Sequence, residues 1–161
     1  MEFFEIKQNE IWHMNIFGEE RVVKFISDSI NEKSQSTAFP KEEVDALNWA
    51  ILEDVINRKE VINNVTLYIQ TIYDKLEKEN KVISLKAPEV EINDVIVKSH
   101  KGFISVSFCG NCTCDKEHGI SISFCNKKFH SVSQYINYES VAYDEYKNAQ
   151  KAQKKQANTT T

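Results

Sequence analysis

Proline and glycine are scarce in this chain, with two prolines and four glycines among 161 residues. Few positions therefore force a bend or permit a left-handed backbone, and long regular elements are expected. No apolar run approaches the roughly 20 residues that a membrane-spanning helix needs. The opening Met1-Glu2-Phe3-Phe4-Glu5 lacks the basic stretch and apolar block of a signal peptide. Basic charge is not in excess either: 20 Lys and Arg stand against 24 Asp and Glu, a net charge of -4. Phosphate backbones bind concentrated basic surface, so neither nucleic acid nor a membrane is the expected partner. The expectation is a cytoplasmic protein in a reducing setting. There the four cysteines are expected as free thiols or metal ligands rather than disulfides.

What is present suits one globular domain. The hydrophobic fraction of 41% and charged fraction of 27% are ordinary, and the length can bury a real core. Trp12, Met14 and Ile16 alternate with His13 and Asn15. Gly18-Glu19-Glu20 reads as a turn and Val22 to Ile26 as a second strand, which makes a hairpin. Ser27 to Ala38 is a polar connection. Pro40 is placed at the first position of a helix, followed by Glu42, Glu43 and Asp45, where carboxylates suit the positive end of the helix dipole. Val44, Leu47, Ile51 and Val55 recur at helical spacing. Arg58-Lys59-Glu60 interrupts, and a second stripe runs Ile62, Val65, Ile69, Ile72 and Leu76.

Pro88 opens a change to period two. Val90 and Ile92 begin a strand that continues through Val95 to Val97 after a bulge or turn at Asn93-Asp94. His100-Lys101-Gly102 is a turn, and Ile104, Val106 and Phe108 alternate with serines. Ile120, Ile122 and Phe124 do the same, then Asn126-Lys127-Lys128 turns into Phe129 to Ser133. The predicted fold is α+β: an antiparallel β-sheet, built of a meander plus an N-terminal hairpin, with two main helices packed on its apolar face. The serine face is expected to be solvated or to serve as a flat recognition surface. Trp12 and Trp49 are expected in the core. The domain is expected to span residues 1–146, with a polar, fraying or disordered C-terminal helical tail over 147–161.

Cys109 to Gly119 reads as a long connection between two strands and holds most of the reactive side chains. Cys109, Cys112, Cys114 and His118 are types that zinc prefers, so a zinc-stabilised binding module is one expectation. The crowding of three thiols in six residues disfavours it, and no cofactor is the leading expectation. Cys112 or Cys114 with His118, or the carboxylate of Asp115 or Glu117 with His118, gives a thiol or carboxylate–histidine enzyme as another. Asp115, Glu117, His118, Tyr135 and Tyr138 are the candidate binding residues, the tyrosines because such rings anchor interfaces.

The segment Asp115-Lys116-Glu117-His118-Gly119, followed by the alternating Ile120 to Phe124 and by Lys127-Lys128-Phe129, resembles the D-x-E-H-G strand entry of uncharacterised bacterial domains of the DUF6985 and DUF2004 kind. The resemblance implies an N-terminal hairpin and helices ahead of a sheet that carries the loop. It also implies kinship with candidate immunity proteins of bacterial toxin systems, hence a non-catalytic protein that binds and occludes a toxin. It carries over no catalytic residues, and it leaves the partner's identity and the oligomeric state open.

Overall fold

The computed structural model describes residues 5–30, 38–78 and 90–159. The strands are β1 (Ile11–Ile16), β2 (Glu19–Ser27), β3 (Val90–His100), β4 (Phe103–Cys112), β5 (Ile120–Cys125) and β6 (Lys128–Ser133). The helices are α1 (Lys41–Leu52), α2 (Lys59–Lys78) and α3 (Val141–Thr159), with 3-10 helices at Val55–Asn57 and Tyr135–Ser140. The predicted polar connection and the change of period at Pro88 lie largely outside the described residues. Among the described residues no helix is long and apolar enough to cross a membrane.

All six strands form one sheet in sequential order. Neighbours run antiparallel except β2 and β3, which pair parallel through Lys24–Ser27 and Asp94–Val97. The expectation of an antiparallel sheet is corrected at this one junction. A parallel pair needs a crossover, and α1 and α2 lie in the crossover between these strands. The three hairpins use two-residue turns with positive φ at both positions: Phe17-Gly18, Lys101-Gly102 and Asn126-Lys127. Their backbone twist matches that of the flanking strands. The first turn falls one residue earlier than the sequence indicated. Asn57 secures it, accepting a hydrogen bond from Phe17 N at 2.7 Å and donating to Asn15 O at 2.8 Å.

Alternation assigns the core. Val23 and Phe25, Val95 and Val97, Val106 and Phe108, and Ile120, Ile122 and Phe124 are buried on one face. Helices α1 and α2 cover that face, with Trp49 edge-on to Phe124 at 6.0 Å. Trp12 packs edge-on to Phe25 at 5.3 Å, and both tryptophans, expected in the core, are half-buried and pack against it. Helix α1 starts at Lys41 with Pro40 as its cap, and it stops at Leu52 rather than carrying its stripe to Val55. Asp54 takes a left-handed conformation there, with φ 48°. Val55 still reaches the core, through the 3-10 turn. In α2 the buried row is Val61, Val65, Ile69 and Tyr73; Val65 and Ile69 are buried as expected, Ile72 packs against the core, and Val61 takes the place expected for Ile62, which is 38% exposed.

The other face is not solvated. Ser105, Ser107, Ser121 and Ser123 are fully buried, which corrects the expectation of an open serine surface. The Tyr135–Ser140 turn and α3 lie over it, with Val141 and Ala142 buried against the sheet. Serine is small, so a helix can approach closely, and each hydroxyl finds a hydrogen-bond partner. Ser107 and Ser123 bond each other at 2.7 Å, and Ser121 donates to Gln134 O at 3.0 Å. Further along α3, Tyr143 and Tyr146 flank His100, each ring at 5.2 Å. His130 Nε2 meets Glu145 at 3.3 Å. The helix continues to Thr159, with residues 151 to 158 exposed.

Candidate functional site

Strand β4 extends four residues beyond the predicted end of its strand, so Cys109 to Cys112 are sheet rather than loop. The connection proper is Thr113 to Gly119. It is closed by Asp115 N donating to Cys112 O at 3.1 Å and Gly119 N donating to Asp115 O at 3.0 Å. Gly119 sits at φ +64°, and a Cβ there would lie 2.5 Å from Gly110 O, so glycine is required on both counts. The Asp115 carboxylate turns back over the loop. It accepts from His118 N at 3.2 Å and from the His118 ring through Nδ1 at 2.9 Å. A carboxylate on Nδ1 fixes that nitrogen as the proton bearer in the neutral ring, leaving Nε2 with the lone pair. Of the two carboxylates that the sequence sets near His118, the turn brings Asp115, three residues away, onto the ring.

Tyr135 N donates to His118 O at 3.1 Å, which ties the loop to the start of the 3-10 turn. Between these two segments lies an open cleft of about 520 Å³. Glu117, His118, Tyr135 and Tyr138, four of the five candidate residues, line it together with Lys116 and Glu139. Asp115 stands behind His118. The rings of Tyr135 and Tyr138 meet edge to face, with centroids 5.8 Å apart. Ile136, between them in sequence, is 63% exposed.

Beneath the cleft, Tyr135 donates its hydroxyl to Asp94 Oδ2 at 2.7 Å. Asp94 reaches this face because the register of β3 shifts between Ile92 and Asp94, a bulge that turns it away from the core. Burial pushes the Tyr135 hydroxyl far above the ordinary tyrosine range, and its bond to Asp94 adds to this. Burial pushes Tyr138 up to about 12, with the charges of Asp28 and Glu139 adding to it. Both groups hold their protons more tightly when folded than unfolded. Their contribution to stability is therefore intact below the ordinary tyrosine pKa of about 10. It is lost as pH rises from there through the folded value of about 12 for Tyr138. In an alkaline titration followed by tyrosinate absorbance, these two rings are expected to ionise last and together with unfolding. Smooth ionisation of every tyrosine near pH ~10 would contradict this.

The cysteines separate into two kinds. Cys112 and Cys114 are joined in a disulfide, their Cα atoms 5.3 Å apart, against the expectation of free thiols. The turn that follows β4 folds Cys114 back toward Cys112 at the edge of the core, which is what brings them together. Cys109 and Cys125 are free and buried on the serine face. Burial drives the Cys109 thiol well above its usual range, with the Asp94 charge adding to it; burial raises Cys125 to about 11. The zinc arrangement of Cys109, Cys112, Cys114 and His118 is not assembled. Two of its sulfurs bind each other, Cys109 is buried on the serine face, and no metal-holding group of His, Cys, Asp or Glu occurs among the described residues. A thiolate nucleophile is likewise not provided by either buried cysteine. A thiol reagent added to native protein is expected to react negligibly. Denaturation should release two thiols, and reduction two more. Rapid reaction of a native thiol would refute the burial of Cys109 and Cys125.

No protein-family model matches the chain, and comparison with curated proteins and with solved structures finds no match either.

Proposed function

We propose that this chain is a non-catalytic cytoplasmic binding protein of the immunity type, which occludes a bacterial toxin by covering it. The observation that carries the reading is the cleft, where the Tyr135–Tyr138 ring pair and the exposed Ile136 stand beside Glu117 and Glu139. Rigid aromatic rings with an apolar neighbour and a charged rim are the composition of an interface hot spot. The mild overall acidity favours encounter with a basic partner, and the D-x-E-H-G resemblance supplies the class of partner. The test is protection of cells from a toxin encoded beside the gene, with recovery of the purified complex. Ile136→Asp or Tyr138→Ala should weaken that complex by about 30-fold, the scale of a hot-spot loss. No protection and no complex would sink the reading.

A second reading has one observation in its favour, the Asp115–His118 bond at the cleft wall. An imidazole oriented by a carboxylate is equipped to take a proton, as in a carboxylate–histidine enzyme. Turnover of an ester or phosphoester panel that disappears in His118→Asn with the fold intact would establish it.

A further inference from the structure

We infer that the cleft is a receptor for the guanidinium of an arginine side chain presented by the partner protein, seated against the Tyr135–Tyr138 ring pair and neutralised by Glu117 and Glu139. The inference rests on the binding reading above and gives its partner a chemistry.

The ring pair is the first support. The Tyr135 hydroxyl is committed to Asp94 at 2.7 Å, so what this residue can offer a ligand is its ring. A ring face attracts a cation, and two rings set edge to face, here at 78°, present one face and one edge in the same corner. Charge is the second support. Glu117 and Glu139 line the cleft against a single lining lysine, Lys116. Burial is the main reason that Tyr135 and Tyr138 hold their phenol protons, and the negative charges of Asp94, Asp28 and Glu139 add to it in the same direction. An anion would be repelled where a cation is drawn in. The third support is His118. With Nδ1 donating to Asp115, Nε2 of the neutral ring is an acceptor, able to take an N–H from the same ligand. Arginine is favoured over lysine because a planar fork can stack on a ring and bond a carboxylate in two places at once.

The test needs no knowledge of the natural partner. Isotope-labelled full-length chain is titrated with N-acetyl-arginine amide, its neutral isostere N-acetyl-citrulline amide, and N-acetyl-lysine amide, and backbone NMR shifts are followed. The expected result is movement confined to residues 116–119 and 135–139, with arginine bound about tenfold more tightly than citrulline. The double variant Glu117→Gln, Glu139→Gln should lose that preference while its unperturbed spectrum stays native. Equal binding of citrulline, equal binding of lysine, shifts elsewhere, or no shifts would each overturn the inference. The two ideas fail separately. Arginine preference without any protective complex removes the immunity reading alone; a protective complex without arginine preference removes only this inference.

Discussion

Gly110→Ala should be among the most damaging single substitutions in this chain, costing about 3–5 kcal/mol and lowering the melting temperature by roughly 10 °C. Gly110 lies in β4, paired with Ile92 on one side and Ile120 on the other. A Cβ built there would fall 1.8 Å from Glu91 O and 2.9 Å from Ile92 Cα. Both are backbone atoms of the strand next to the β3 bulge. No rotamer change can relieve such a clash, so β3 must move away from β4. The bulge places Asp94 under Tyr135, and a shift of β3 would loosen that bond as well. Gly102→Ala is the control. Gly102 sits at φ +85° with nothing within 4 Å of the added carbon. It should cost only the left-handed strain, about 1–2 kcal/mol. Thermal unfolding of the two variants side by side decides the matter. If Gly110→Ala unfolds no earlier than Gly102→Ala, the close approach of β3 and β4 is wrong.

The second large effect is expected at Glu43. This side chain is fully buried in the first turn of α1. Its carboxylate accepts from three serine hydroxyls: Ser27, at short range; Ser29, at 2.5 Å; and Ser99, at 2.7 Å. Ser27 ends β2, Ser99 lies in β3, and Glu43 is in the helix above, so the residue fastens α1 over the parallel junction. Glu43→Ala removes the common acceptor and leaves the buried Ser27 hydroxyl without it. Hydrogen bonds to charged groups are worth about 1.5–3 kcal/mol, and an orphaned buried donor costs about 1–3. A loss of about 3 kcal/mol is expected, because Ser29 and Ser99 can turn to water. Glu43→Gln keeps the volume and one acceptor oxygen, and should lose about half as much. A double-mutant cycle with Ser27→Ala should give a coupling of about 1–2 kcal/mol in denaturant unfolding. Additive effects would show that the bond contributes nothing.

The contrast between these two residues bears on what a sequence can display. Glu43 stood among Glu42, Glu43 and Asp45, three carboxylates equally suited to the start of a helix. Nothing local marks the one that meets three hydroxyls from two strands. Gly110 sat within a stretch expected to be a loop, where glycine needs no special reason. Its role depends on a carbonyl in β3 nearly twenty residues earlier in the chain. The cleft was more legible. Four of its lining residues carried chemical signals of their own, the adjacent Glu117 and His118 and the clustered tyrosines. That these two groups share one cleft follows from the bond of Tyr135 N to His118 O, which no spacing rule anticipates. Lys116, Ile136 and Glu139 had no signal beyond their proximity to the others.

Alternation and helical spacing alone determined, to within a few residues at their ends, the strands of the hairpin and meander, the two core helices and the apolar face, because each reports how a residue sits relative to its neighbours along the chain. Tertiary structure alone decided that β2 and β3 run parallel, that the serines are roofed by α3, and that Cys112 bonds Cys114. Those outcomes depend on which distant surfaces meet. A row of serines reads the same whether water or a helix lies against it, until the helix arrives.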